Sequence, residues 1–294
     1  MKYTNLELFI NGEWLSGEGR KTETVLNPAT EESLGELPHA TETDLDNALE
    51  AAKIAFDTWK NTSPLTRANI LRDAGKLLRE RQQSIGQILT LEEGKVLDQA
   101  VAEIVSCAET LEWFAEEGRR AFGRVIPARD IGLNQMTLPE PVGPVAAFVA
   151  WNFPGTNVIR KIAASLAAGC SCIMKASEET PGTCIEIARA LDDAGLPKGV
   201  LNLVFGVPAE ISEYLIDSPV VRKVSFIGSI PVGKHLTKLA ASHMKRTTME
   251  LGGHAPVIIF DDVDVEAVAK QAVATKYRNA GQVCISPTRF FVHE

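Results

Sequence analysis

The polarity pattern changes character twice along the chain. In TETDLDNALEAAKIAFDTWKN, Leu45, Ala48, Leu49, Ala52, Ala55, Phe56 and Trp59 recur at steps of three and four residues. That spacing predicts a helix with one buried stripe, capped by Thr41 or Thr43. A second helix is expected after Pro64, with Leu71, Ala74, Leu77 and Leu78 on one face. A third carries Leu97, Ala100, Val101, Ile104, Ala108 and Leu111, so the first third of the chain reads as helical. Residues 121–143 break this rhythm with Pro127, Gly132, Pro139 and Pro141. They predict two irregular strands that project from the body and join near Ile131-Gly132, because proline suits an exposed hairpin better than a central strand.

From residue 144 the order becomes strand, turn, helix. Short apolar runs stand at VAAFVAW (145–151), CSCIMKA (170–176), LNLVFG (201–206), KVSFIG (223–228) and APVIIF (255–260). Helical segments opened by proline or small polar residues separate most of them. The alternation predicts an α/β fold: a Rossmann-like parallel sheet with helices on both faces. Ligands of such sheets belong beyond the C-terminal ends of the strands.

Composition narrows the function classes. A chain of 294 residues corresponds to about two domains. The net charge is −8 and no basic block occurs, which argues against nucleic acid or an anionic membrane as partner. The five cysteines are scattered and odd in number. Disulfide frameworks are even and dense, so a reducing compartment, by default the cytoplasm, is expected. The start MKYTNLELFINGEW has no apolar core of signal-peptide length.

Polar groups collect after the strands. Trp151-Asn152-Phe153-Pro154 follows the first, Lys175-Ala176-Ser177-Glu178 the second, and Gly228-Ser229-Ile230-Pro231-Val232-Gly233 the fourth; Glu250-Leu251-Gly252-Gly253 follows RTTM. GSIPVGKH matches seven positions of the triphosphate-binding loop pattern, but His235 replaces the hydroxyl that holds magnesium and Pro231 lacks an N–H. A better reading lets a ligand approach Gly228 closely while the next helix aims its N-terminus at a pyrophosphate. A plain strand-to-helix turn fits the glycine spacing equally well. Lys175 and Glu178 suit ribose hydroxyls, and a carboxylate there disfavours a 2′-phosphate; the alternative is an ion pair in a loop. Cys284 lies in the small, polar run NAGQVC, a setting for a reactive thiol, whereas Cys107, Cys170, Cys172 and Cys184 read as structural. No histidine or cysteine at metal spacing completes a zinc site with Cys170 and Cys172.

Taken together, WNFP (151–154), KASEETP (175–181), FIGS (226–229) with Gly233, MELGG (249–253) and NAGQVC (279–284) resemble the aldehyde dehydrogenase superfamily, in its order and approximate spacing. The likeness runs from INGEW (10–14) to the last residue. The resemblance implies that Cys284 adds to an aldehyde as nucleophile. Asn152 then donates to the oxyanion together with the Cys284 N–H, and hydride leaves to NAD, or NADP, to give a thioester. Glu250 activates the water that hydrolyses it, and its presence argues against release to CoA. Trp151, Lys175, Ser177, Glu178, Gly228, Ser229, Val232, Gly233 and Leu251 are implied to surround the dinucleotide. Within the superfamily the chain is similar to succinate-semialdehyde and α-ketoglutaric semialdehyde dehydrogenases. Arg160 and Arg278 match their substrate-carboxylate arginines, although each reads equally well as a solvated charge.

The same resemblance implies a dinucleotide-binding unit of residues 1–120 and 144–252, an oligomerisation hairpin at 121–143, and the start of a catalytic unit at 253–294. Family members continue further, so RFFVHE (289–294) is expected to lack a strand partner in this chain, and the chain by itself is expected to show little dehydrogenase activity. A dimer or tetramer is expected of the full-length protein. The competing expectation is a non-catalytic remnant that binds dinucleotide or only assembles.

Overall fold

The computed structural model describes residues 3–294. Strands β1 (Leu8–Ile10) and β2 (Glu13–Leu15) form a hairpin through Asn11 and Gly12, both at positive φ. Strands β3 (Thr22–Leu26) and β4 (Ser33–Pro38) form a separate antiparallel pair. The expectation that the first third is helical is therefore corrected for residues 8–38. The β1 and β2 strands have three residues each, too few to show a period of two.

Three long helices follow: α1 (Glu42–Trp59), α2 (Pro64–Glu93) and α3 (Leu97–Arg119). Thr41, not Thr43, caps α1: its hydroxyl accepts from Asp44 N while the Asp44 carboxylate accepts from Thr41 N. Helix α2 starts as Ser-Pro and stops at Gly94, whose φ of 85° ends the helix without a Cβ clash. Strands β5 (Arg124–Ile126) and β6 (Gln135–Thr137) pair as the expected hairpin and are exposed along their whole length.

The main sheet is then built by β7 (Val145–Phe148), α4 (Pro154–Ala167), β8 (Cys172–Lys175), α5 (Pro181–Asp193), β9 (Leu201–Val204), α6 (Pro208–Asp217), β10 (Lys223–Gly228), α7 (Ile230–Ser242) and β11 (Arg246–Leu251). Its order is β11-β10-β7-β8-β9-β1-β2, with β7 to β11 parallel and the N-terminal hairpin added antiparallel at β9. Helices α2 to α5 pack together, and α1, α6 and α7 form a second group. The chain runs outward from β7 through β8 and β9, then returns to place β10 on the other side of β7. That reversal opens a crevice at the C-terminal ends of β7 and β10, where ligands of such sheets sit. Strands β7, β8 and β9 are buried on both faces, which explains their unbroken apolar runs.

The last segment stands apart. Strand β12 (Ala255–Ile259) and β13 (Pro287–Val292) make a two-stranded parallel sheet, linked by α8 (Val265–Tyr277) and a 3₁₀ turn at Arg278–Gly281. Two expectations are corrected here. APVIIF does not join the main sheet. The C-terminal strand has a partner, since Val257, Ile258 and Ile259 pair with Phe290, Phe291 and Val292. Such a pairing joins segments about thirty residues apart, so no local pattern announces it. No side chain of α8 is buried, and Ile258, Phe260, Phe291 and Val292 are exposed.

Candidate active site

The crevice collects residues from four strand ends and from the loop that carries Cys284. That loop has an unusual backbone. Asn279, Ala280 and Gly281 all lie in the left-handed region, at φ of 53°, 54° and 80°. For the two residues with a Cβ this conformation costs about 1 kcal/mol or more each, so surrounding contacts must hold it. Asn279 provides them. It is buried, its N–H donates to Gln99 Oε1 at 3.0 Å, and its Nδ2 donates to the Asn152 carbonyl at 2.8 Å. The loop is thereby pinned to α3 and to the turn after β7.

Cys284 is exposed, whereas Cys107, Cys170, Cys172 and Cys184 are buried. Burial pushes the Cys172 thiol up to about 12 and those of Cys107 and Cys184 well above the usual range. Those thiols are held inert at neutral pH. Cys284 stands on a wall shared by two cavities. The larger, about 990 Å³, also meets Glu250, Leu251, Lys161 and Arg160. The smaller, about 340 Å³, meets Arg160, Arg278, Asn279 and Phe153. Cys284 and Arg160 thus border both cavities, Glu250 the larger and Arg278 the smaller. The Arg278 guanidinium lies 5.7 Å from the Phe153 ring centroid, which orients it by a cation–π contact.

Asn152 is positioned through its neighbours. Its Nδ2 donates to the Gln282 carbonyl at 2.9 Å, and its Oδ1 accepts from Asn157 Nδ2 at 3.2 Å. One of its two amide hydrogens is thus engaged by the cysteine loop. Glu250, on β11, is exposed at the mouth of the larger cavity. Lys161 on α4 is buried, and that burial lowers its pKa; the negative charge of Glu250 works in the opposite direction.

The residues expected on the nucleotide side lie at the strand ends. Lys175 ends β8 and pairs with Glu178 at 2.5 Å. The other Glu178 oxygen accepts from Gly206 N at 3.0 Å. Both side chains are nearly buried, so this is not an ordinary solvated loop pair. Burial raises the Glu178 pKa, and Lys175 opposes the rise. Ser177 is buried and bonds Glu179, while Trp151 is 39% exposed at the rim. At Gly228 a Cβ would come within 2.3 Å of the Phe226 ring, and at Gly233 within 2.6 Å of Leu251 Cδ2. Ser229 precedes α7 without capping it by its side chain, and Val232 is 46% exposed in the first turn. The first amides of α7, to which Pro231 contributes none, are left without a side-chain cap. Among the described residues no group of three or more histidine, cysteine or acidic side chains could hold a metal ion. No helix among them is long and apolar enough to cross a membrane.

The family model for the aldehyde dehydrogenase family matches residues 14–294. The chain belongs to this family. It is 48% identical over 286 residues to a 4-(hydroxymethyl)benzenesulfonate dehydrogenase of Comamonas testosteroni, covering 97% of this chain and 60% of that protein. It is 38% identical over 299 residues to the NADP-linked succinate-semialdehyde dehydrogenase of Escherichia coli, covering 100% of this chain and 62% of that protein. A crystal structure of succinate-semialdehyde dehydrogenase from Burkholderia pseudomallei superposes with a TM-score of 0.96 at 42% identity, over 99% of this chain and 60% of that one. The chain thus spans about 60% of the length of these relatives.

The structure also shows residues around these groups that pattern reading missed. Asn157, Lys161, Gln99, Lys95 and Glu103 hold or face the groups above. Asn157 and Lys161 stand four residues apart on α4, a helical step that could have been noticed. Gln99 and Glu103 lie about 180 and 50 residues from their partners, and nothing local marks them.

Proposed function

We propose that Cys284 is the nucleophile of an NAD- or NADP-linked oxidation of an aldehyde to its carboxylic acid. The substrate is a short semialdehyde acid such as succinic or α-ketoglutaric semialdehyde. The observation that carries this reading is the shared wall: the one exposed thiol borders both the Glu250 cavity and the cavity of Arg160 and Arg278. Two guanidinium groups beside the thiol can grip a terminal carboxylate and leave the aldehyde carbon at the sulfur.

The chemistry follows from those positions. The Cys284 thiolate adds to the carbonyl carbon, and the oxygen takes the negative charge. The free hydrogen of the Asn152 amide and the Cys284 N–H are the donors that offset it. Departure of hydride from carbon leaves an acyl thioester on sulfur. Glu250 then takes a proton from water, the hydroxide attacks the acyl carbon, and the acid leaves as the thiol is restored. Lys161 holds positive charge beside the Glu250 carboxylate.

A dinucleotide fits the residues at the strand ends. The amides at the start of α7 have no side-chain cap and can take a pyrophosphate, while Gly228 and Gly233 let Phe226 and Leu251 pack where a Cβ would clash. Lys175, Ser177 and Glu178 would meet the adenosine ribose, with Trp151, Ser229, Val232 and Leu251 around the rest. Bound there, an oxidised nicotinamide supplies the hydride acceptor. Glu178 favours NAD. We further assign residues 1–120 and 144–252 to dinucleotide binding, 121–143 to oligomerisation and 253–294 to the catalytic unit, in a homo-oligomeric cytoplasmic protein.

A specific observation favours a second anionic substrate. Two relatives are named for sulfonates: the 4-(hydroxymethyl)benzenesulfonate dehydrogenase above, and a 3-sulfolactaldehyde dehydrogenase of Pseudomonas putida at 38% identity. A sulfonate offers the arginines the same charge with one more oxygen. The test, made on the full-length protein, is kcat/KM for succinic semialdehyde, a sulfonated aldehyde and uncharged butanal, followed by NADH fluorescence. Arg160→Leu and Arg278→Leu should each lower the values for charged aldehydes at least tenfold, about 1.4 kcal/mol, and leave butanal little changed. Unchanged values for both charged aldehydes would refute the anion-binding role. NAD binding by calorimetry without any NADH burst would instead favour a non-catalytic dinucleotide binder.

A further inference from the structure

Three hydrogen bonds close a ring behind Cys284. Asn279 Nδ2 donates to the Asn152 carbonyl at 2.8 Å, Asn152 Nδ2 donates to the Gln282 carbonyl at 2.9 Å, and Gln282 N donates back to the Asn279 carbonyl at 3.0 Å. The loop of the thiol and the side chain of Asn152 therefore move as one unit. On its far side this unit is tied down where the Cys284 carbonyl accepts from Gly253 N at 3.1 Å. On its near side it hangs on α3. Asn279 N donates to Gln99 Oε1 at 3.0 Å, and among the described residues no other hydrogen bond joins 278–286 to that helix. Asn279 is 2% exposed, so its N–H has no water to turn to if Gln99 is lost. Gln99 itself is exposed in the first turn of α3 and borders the smaller cavity together with Cys284. Its replacement therefore removes an acceptor without emptying any part of the core.

We propose that Gln99 is a positioning residue: by accepting from the buried Asn279 N–H it holds the left-handed run and, through the ring, keeps Cys284 and Asn152 at a fixed spacing. The catalytic meaning rests on the reading of Cys284 and Asn152 given above, but the tether does not. Without the acceptor a buried donor is left unpaired. The run Asn279-Ala280-Gly281 already holds two residues with a Cβ at positive φ, so the nearest relief is for it to open and admit water. Opening breaks the Gln282 N bond and frees the Asn152 amide from the loop. A nucleophile and an oxyanion donor that shift by about 1 Å relative to one another lose rate about a hundredfold in the extreme.

The first test is amide hydrogen exchange by mass spectrometry on this chain at pH 7. In the peptide 277–286 the amides of Asn279, Gln282, Val283 and Ser286 are bonded, and a peptide from α5 is the control. In Gln99→Leu more than one of these amides should exchange at least threefold faster, while the control is unchanged. Gln99→Glu offers the same acceptor and should keep the parent rates. Parent rates in Gln99→Leu, a gain confined to one amide, or a Gln99→Glu variant that behaves like Gln99→Leu overturns the tether. The second test is turnover of the full-length protein. Gln99→Leu should lower kcat at least fivefold with KM for NAD unchanged, and Gln99→Glu should restore it. An unchanged kcat in Gln99→Leu, where Cys284→Ser abolishes turnover, overturns the positioning role. Should Cys284→Ser keep its turnover, the nucleophile reading falls instead, and the exchange rates still decide the tether.

Discussion

Replacing Glu103 by alanine should destabilise this chain far more than a surface change does, for reasons that can be added up from its contacts. Glu103 lies on α3 with its side chain 4% exposed. Its Oε1 accepts from Gly155 N at 3.0 Å and from Thr156 N at 2.9 Å, and its Oε2 pairs with Lys95 Nζ at 2.5 Å. Helix α4 begins after Phe153, which offers no capping side chain, so Glu103 does the capping from another helix. Gly155 is part of the fit: a Cβ there would lie 3.2 Å from Glu103 Oε1 and 3.0 Å from Cys107 Sγ. Alanine at 103 leaves two donors unpaired at the positive end of a helix and strands the Lys95 ammonium, which is 1% exposed. Breaking a buried pair from one side costs about 3–5 kcal/mol, and the lost caps fall within that range, so about 4 kcal/mol is expected. Lys95→Met should cost less, about 2 kcal/mol, because Glu103 keeps both amides as partners. Urea unfolding followed by far-ultraviolet circular dichroism measures both, provided the slope against urea is unchanged. A Lys95→Met cost equal to that of Glu103→Ala, or a Glu103→Ala cost under about 1 kcal/mol, would refute the capping role of Glu103.

Two further outcomes follow from charges near the crevice. Glu178→Ala frees Lys175 and removes a carboxylate, so the NADP to NAD affinity ratio measured by calorimetry should rise about tenfold, one step of 1.4 kcal/mol; a fall would contradict the assignment. Glu93, raised from 4.5 to about 7, binds its proton more tightly folded than unfolded. Its stabilisation is therefore complete below about pH 4.5 and lost as the pH climbs to 7, about 3 kcal/mol in all. Urea midpoints of Glu93→Gln should lack that share of the decline between pH 5 and 8.

How far the site could be read from the chain depends on the distance between partners. The three helices of residues 42–119 were legible because each buries one stripe, and a stripe leaves a period in the sequence. The strand ends were legible for a similar reason: an apolar run followed by small and polar residues marks where β7, β8 and β10 release the chain. Cys284 could be singled out by its polar neighbours, and its exposure agrees with that. The pairing of β12 with β13 left no such trace, nor did the β1–β2 hairpin added to the sheet.

What the sequence determined on its own is the three long helices of residues 42–119, the strand–helix alternation from residue 144, and which residue types stand at the strand ends. Only the tertiary structure decided what holds those groups in place. Glu103 and Glu92, each from the long helical layer, cap α4 and α5 across separations of 52 and 90 residues. Asn279 fastens the cysteine loop to the Asn152 carbonyl 127 residues away. Periodicity is a property of neighbours along the chain, because burial of one face acts within a few turns. A buried polar group must find whichever partner the folded chain brings within about 3 Å, and that partner has no fixed place in the sequence.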